Sequence, residues 1–170
     1  MNRRDVIISS AIAVLGVAML PTGAVSQQKT LKEQLVGTWM LVASDTVQPN
    51  GTRSPTFGPN PKGIAVFDAN GHYVFEFNSS SLPKFAANNR TVGTAEENKA
   101  VVQGSLAHFG TYTVDEAGRS FTLHIEGSSF PNWAGTEQKR PVTAAGDDLK
   151  WVTPAASGGG SAELVWKRAK

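Results

Sequence analysis

His124 and Glu126 stand two residues apart in SFTLHIE, residues 120–126. On a β-strand, where side chains alternate between faces, that spacing sets an imidazole beside a carboxylate. The carboxylate raises the proton affinity of the imidazole, and such a pair can divide general-acid and general-base work. A second set, Thr136, Gln138 and Arg140, shares one face of TEQKR, residues 136–140. If the two stretches are antiparallel neighbours, Gln138 and Arg140 come close to the first pair, and the cluster would orient a carboxylate, an enol or a phenol. Periodicity leaves the face open. The cluster lines an interior, or it belongs to a solvated exterior.

Between the two stretches, EGSSFPNWAG crowds Phe130 and Trp133 around Pro131. Large aromatics in a turn need a surface to pack on, so they either plug the end of a core or form the lip of a cavity. The other histidines have simpler expectations. His72 follows the Asn70-Gly71 turn and reads as an exposed hairpin residue. His108 closes a helical candidate, where a cation would complement the helix dipole. Three histidines at no fixed spacing do not make a metal site. His124 as an axial haem ligand has no supporting feature, so no metal and no cofactor is expected. There is no Gly-x-Ser-x-Gly elbow and no phosphate loop, and the absence of cysteine excludes thiol catalysis and disulfides.

These groups must be positioned by one domain, since 170 residues suffice for one core and not comfortably for two. The first stretch stands apart from it. MNRRD is a basic head, VIISSAIAVLGVAML an apolar run, and Ala24-Val25-Ser26 a small-x-small end, which together read as a signal peptide over residues 1–26 cleaved before Gln27. The apolar run is shorter than the roughly 20 residues a spanning helix needs. Arg3-Arg4 resembles a twin-arginine export signal, which implies a bacterial host and a periplasmic or secreted product. Cleavage removes Arg3, Arg4 and Asp5, so the formal charge of +2 falls to +1. A near-neutral chain with scattered charge has no electrostatic reason to bind nucleic acid.

In the remainder, LKEQL is a short helical candidate and TWMLVASDTV a strand. GIAVF and HYVFEF form a hairpin about Asn70-Gly71, a pair suited to the positive φ of a tight turn. Along the second arm, Tyr73, Phe75 and Phe77 oppose His72, Val74 and Glu76. Thr94 with Glu97 makes a capping box that starts a helix over AEENKAVVQGSLAHF, with Val101, Leu106 and Phe109 as its buried positions. Strands then resume as TYTVD, SFTLHIE, TEQKRPVTA, DLKWVTP and AELVWKRA, divided by short turns and a Gly-rich loop at 157–160. Short strands evenly punctuated by Gly, Asn and Pro favour an all-β barrel or sandwich.

Gly37-Thr38-Trp39 after a short helix resembles the Gly-x-Trp opening of lipocalins, and Trp166-Lys167-Arg168 resembles their last strand, whose cation lies over that tryptophan. FGPNPKG at 57–63, HFGTYTVDE at 108–116 and EGSSFPNWAGTEQKR at 126–140 together resemble the bacterial and fungal lipocalin-like domain family of the calycin superfamily. The resemblance spans residues 33–168. It implies an eight-stranded antiparallel up-and-down β-barrel over residues 27–170, with a short N-terminal helix and one helix between strands. Gly37, Trp39 and Arg168 would close one end.

A barrel of that size holds one small ligand. The leading reading is therefore an exported barrel that binds a small apolar or amphipathic molecule with a polar handle, without stable membrane insertion. Phe75, Tyr112 and Trp133 would supply contact area, and His124, Glu126, Gln138 and Arg140 would orient the handle. A second reading is a cofactor-independent isomerase, cyclase or lyase using His124 and Glu126 as acid and base. A third is an envelope or interaction protein with a filled core.

Overall fold

The computed structural model describes residues 29–170, and the expected leader at 1–26 lies outside the described residues. A short helix, α1 (Leu31–Leu35), precedes strands β1 (Gly37–Val47), β2 (Arg53–Pro55), β3 (Lys62–Phe67) and β4 (His72–Asn78). Helix α2 (Ala95–Gly104) leads into β5 (Ser105–Asp115), β6 (Ser120–Ser128), β7 (Glu137–Ala145), β8 (Asp148–Thr153) and β9 (Ser161–Arg168). Each strand from β3 to β9 pairs antiparallel with the next, and β1 pairs with both β3 and β9. Eight strands thus close into an up-and-down barrel, and β2 adds a ninth, short strand along the far part of β1. Among the described residues no helix is long and apolar enough to cross a membrane.

Closure follows from the sequence at one end. Gly37 adopts φ 131°, a backbone that favours glycine. A Cβ at that position would lie 2.6 Å from Arg168 Nη1, so the missing side chain is also what admits the guanidinium. The Arg168 guanidinium stacks over the buried Trp39 indole, 4.1 Å from its centroid, and donates to the carbonyls of Gln34 and Val36 at 2.7 and 2.9 Å. The Trp39 indole N–H donates to the Leu35 carbonyl at 2.8 Å. Both groups therefore satisfy carbonyls that the end of α1 leaves without helical partners. At the start of α1, Thr30 and Glu33 form a capping box. Glu116, in the turn between β5 and β6, accepts from the Leu31 and Lys32 amides at 2.6 and 3.0 Å.

Aromatic rings fill the barrel above this floor. Phe67 meets Phe75, Tyr112, Phe121 and Trp151 edge-on at centroid distances of 5.3, 5.0, 5.4 and 6.2 Å. Trp151 stacks on Trp166 at 4.6 Å and on Phe75 at 5.0 Å. Edge-to-face and offset-stacked pairs at these separations are the favourable arrangements for aromatic quadrupoles. The closed half of the lumen is a packed core.

The second helix departs from the sequence expectation. It stops at Gly104, and residues 105–109 join β5 instead of extending the helix. Glycine weakens the helix at that point by about 1 kcal/mol relative to alanine. Pairing Ser105–Thr111 with β4 then gives these residues a full ladder of hydrogen bonds. The Ser105 hydroxyl donates to the Val101 carbonyl at 2.6 Å, satisfying one orphan of the last turn. As a result α2 buries no residue. Val101 is only half-buried, Phe109 is exposed on the outer face, and Leu106 points inward from β5.

Trp39→Ala should cost roughly 3–5 kcal/mol in urea unfolding, as a large-to-small change in a filled core. Arg168→Ala should cost about 1 kcal/mol, the scale of a partly exposed cation–π contact. Negligible losses at both positions would show that this end does not depend on the pair.

Candidate functional site

The turns between β5 and β6 and between β7 and β8 reach α1 and Arg168 through Glu116 and Asp147, so they mark the closed end. The opposite end is bordered by the segments 48–61, 79–104, 129–136 and 154–160. Here the lumen is not filled. An inner cavity of about 40 Å³ is lined by Phe57, Phe77, Leu106, His108, Trp133, Arg140 and Thr153, among others. A vestibule of about 510 Å³ lies against it, walled by residues that include Val101, Val102 and Phe130. The two share Thr56, Phe57, Leu106, Ser157 and Gly158, so they adjoin at the open end of the barrel.

The floor of the recess is polar. Arg140 is 2% exposed, and one terminal nitrogen donates to Gln138 Oε1 at 2.6 Å while the other donates to the Thr153 hydroxyl. Its Nε has no partner, and none of the ion pairs among the described residues includes it. The guanidinium lies 5.9 Å from the centroid of Trp133. Burial lowers its pKa to about 10, so it remains charged at neutral pH.

His108 is equally buried, and its Nδ1 lies 3.0 Å from the Tyr73 hydroxyl. Burial, reinforced by the nearby Arg140 charge, lowers the His108 pKa to about 3, and the imidazole is neutral. Burial also raises the Tyr73 pKa, so the phenol keeps its proton. That proton has His108 Nδ1 as its acceptor, which assigns the imidazole proton to Nε2. Nε2 has no partner either. A desolvated donor left without an acceptor costs on the order of 1–3 kcal/mol. Trp151 Nε1, Trp166 Nε1 and Ser120 Oγ in the filled half are also unpartnered, and what sets Arg140 and His108 apart is that both residues line the inner cavity.

The strand registers sort the residues singled out from the sequence. Phe121, Leu123 and Ile125 point into the barrel, which puts Thr122, His124 and Glu126 on its outer face. His124 is 38% exposed at its side chain and pairs with Glu137, directly across the ladder, at 2.8 Å. The expectation of His124 and Glu126 in the lumen is thus corrected. The reason is the count of two along the strand: burying three apolar side chains compels the residues between them to face water. Gln138 and Arg140 point inward, opposite Leu123 and Phe121, and do not join His124 and Glu126. Phe75 and Tyr112 are in the filled half, with the Tyr112 hydroxyl bound to the Asp68 carbonyl, so they do not line the recess. His72 is exposed on its hairpin and pairs with Asp68.

The quoted aromatics do border the recess. A single 3-10 turn, Pro131–Trp133, carries the half-buried Trp133 over the inner cavity, edge-on to His108 at 5.6 Å and to Phe130 at 5.7 Å. Trp133 also packs against the core, so it is a lip with a foot in the floor.

His108 is corrected from a helix cap to a cavity residue, and Tyr73 and Thr153 were not singled out at all. The signal for His108 was present. Counting back by twos from the inward Tyr112 passes through Gly110, His108 and Leu106. Gly110 keeps that row continuous across a bulge, because a Cβ there would lie 2.0 Å from the His124 carbonyl oxygen.

The family profile described as the lipocalin-like domain matches residues 36–169, nearly all of the described chain. The chain belongs to the lipocalin-like domain family. A curated relative of this lipocalin-like protein is a 4'-hydroxy-3'-methoxypropiophenone carrier protein of Aspergillus oryzae (strain ATCC 42149 / RIB 40), 37% identical over 67 residues. The match covers 36% of the present chain and 60% of the relative, so the chain spans about three fifths of that protein's length.

The neutral His108 has a measurable consequence. Its folded pKa lies below the ordinary 6.5, so the stability it confers is complete above pH 6.5 and is lost as pH falls toward 3. His108→Gln, which keeps an acceptor for Tyr73, should flatten the fall in unfolding free energy between pH 6.5 and 3 compared with wild type. An unchanged acid limb would mean that His108 is not held neutral by the fold.

Proposed function

We propose that this lipocalin-like protein is an exported carrier of one small, largely apolar molecule, held at the open end of the barrel. The ligand body occupies the vestibule between Phe57, Leu106 and Phe130, and its polar handle enters the inner cavity beneath Trp133. The observation that carries this reading is the adjacency of a vestibule bordered by Phe57, Leu106 and Phe130 to an inner cavity lined by the buried Arg140 and His108. A pocket of apolar walls with a few convergent polar groups is the general form of a small-molecule site. The carrier named among its relatives supports carriage of an aryl ketone-like molecule, within the three fifths of that protein that the match covers. Export rests on the leader sequence at 1–26 alone.

Catalysis by His124 and Glu126 loses its geometry, because both face outward, away from the recess. Of the ionisable groups near it, Arg140 stays charged, while His108 and Tyr73 behind it are held neutral by burial, and all three are poor proton carriers near pH 7. Carriage is the reading favoured.

A neutral aryl ketone such as 4-methoxyacetophenone should quench tryptophan emission with 1:1 stoichiometry. Trp133→Ala should weaken it by roughly 1–3 kcal/mol, the loss expected of an aromatic anchor. No saturable binding by wild type would overturn the carrier reading, and a Trp133→Ala protein destabilised by roughly 3–5 kcal/mol with unchanged probe affinity would make Trp133 a plug. For export, intact-mass analysis of the processed protein should give a chain beginning at or near Gln27; an unprocessed, membrane-extracted species would count against it.

A further inference from the structure

We propose that the handle received by the inner cavity is an oxyanion on an aromatic ring, a phenolate or an aryl carboxylate, bound by Arg140 as its counter-ion with His108 Nε2 as a second donor. The inference rests on the carrier reading above and adds the chemical class of the ligand.

The charge balance of the site carries it. Arg140 is a buried cation with no carboxylate paired to it among the described residues. Removing a cation from water without a counter-charge is costly, and neutral acceptors such as Gln138 and Thr153 offset only part of that cost. The groups facing the guanidinium are Tyr73 from β4, His108 from β5, Gln138 on β7, Thr153 from β8 and the face of Trp133. Tyr73 and His108 are neutral there, and the Glu126 carboxylate whose field reaches Tyr73 is on the outer face. The floor therefore carries one uncompensated positive charge.

Arg140 and His108 line the same cavity, and each carries one nitrogen, Nε and Nε2 respectively, that no protein acceptor meets. The dimensions select the handle. About 40 Å³ admits a few water-sized groups, enough for one or two oxygen atoms and too little for a ring. The ring must remain outside, where Phe57, Leu106 and Phe130 stand. A cationic handle is repelled by Arg140, and a neutral ether, a weak acceptor, leaves the Arg140 charge without a counter-ion. An ionised oxygen is the stronger acceptor and supplies that counter-charge.

Three probes of one shape test this on the mature protein: 4-nitrophenol, 4-nitrobenzoate and the uncharged 4-nitroanisole, followed by tryptophan quenching. At a pH below the free phenol's own pKa, bound 4-nitrophenol should show the absorption band of its phenolate. At least one of the two acids should bind roughly 10- to 100-fold more tightly than 4-nitroanisole, the range of a charge-assisted hydrogen bond. Whichever acid shows the preference identifies the source of the oxyanion. Arg140→Met should abolish the preference and the band while 4-nitroanisole still binds. Wild type decides the matter even if that variant does not fold. Equal affinity for all three probes, with bound 4-nitrophenol remaining neutral, overturns the oxyanion assignment and leaves carriage standing. No binding of any probe overturns both.

Discussion

Closure of the sheet is the constraint on which everything else depends. Because β1 pairs with both β3 and β9, no edge is left within the barrel, and every second residue of eight strands is committed to one enclosed lumen. That lumen must be filled or be useful. At the end sealed by Trp39 and Arg168 it is filled, by a continuous set of rings running from Phe67 through Phe75 and Trp151 to Trp166. The filling stops short of the other end, and the recess lies there. The aromatic core thus sets the depth of the site as well as the stability of the domain. It leaves room for a handle inside the barrel and places the rest of any ligand among the loops.

Around the recess the protein places groups that a stability criterion alone would exclude. A buried guanidinium without a counter-ion and a neutral histidine with an unpartnered nitrogen both oppose folding. They persist because the neighbouring strands and the packed core over-determine their positions. Trp133 contributes to both sides of this balance, since it shields the cavity from water and faces the Arg140 charge. Shielding strengthens whatever electrostatic contact a ligand makes, because low dielectric magnifies both the cost of an isolated charge and the gain from pairing it.

Some of this was legible in the residues themselves. Gly37, Trp39 and Arg168 carry their roles in their types: a positive φ, a large indole, and a cation with donors to spare. The alternation in HYVFEF sorted Tyr73, Phe75 and Phe77 to one face without ambiguity, because no polar residue interrupts the apolar set. Arg140 was visible as a candidate together with Gln138 and Trp133, which do meet it. Its partners from other strands, His108, Tyr73 and Thr153, were not. In SFTLHIE, His124 and Glu126 attracted attention as adjacent acid and base, yet the apolar set between them took the interior. In AHFGTYT, the helical start at Thr94 carried the reading of a helix too far and hid His108.

What the sequence determined by itself were the features governed by local chemistry: the strand periods, the turn at Asn70-Gly71, the capping box at Thr94, and the aromatics that had to find a surface. What only the tertiary structure decided was which polar residues share a cavity. His108 and Arg140 are 32 positions apart on strands that are not neighbours in the sheet, and Thr153 comes from a third strand. No local pattern couples them. They meet because alternate residues of neighbouring strands share the inner face, and the curvature of the barrel turns the inner faces of β5, β7 and β8 toward one cavity.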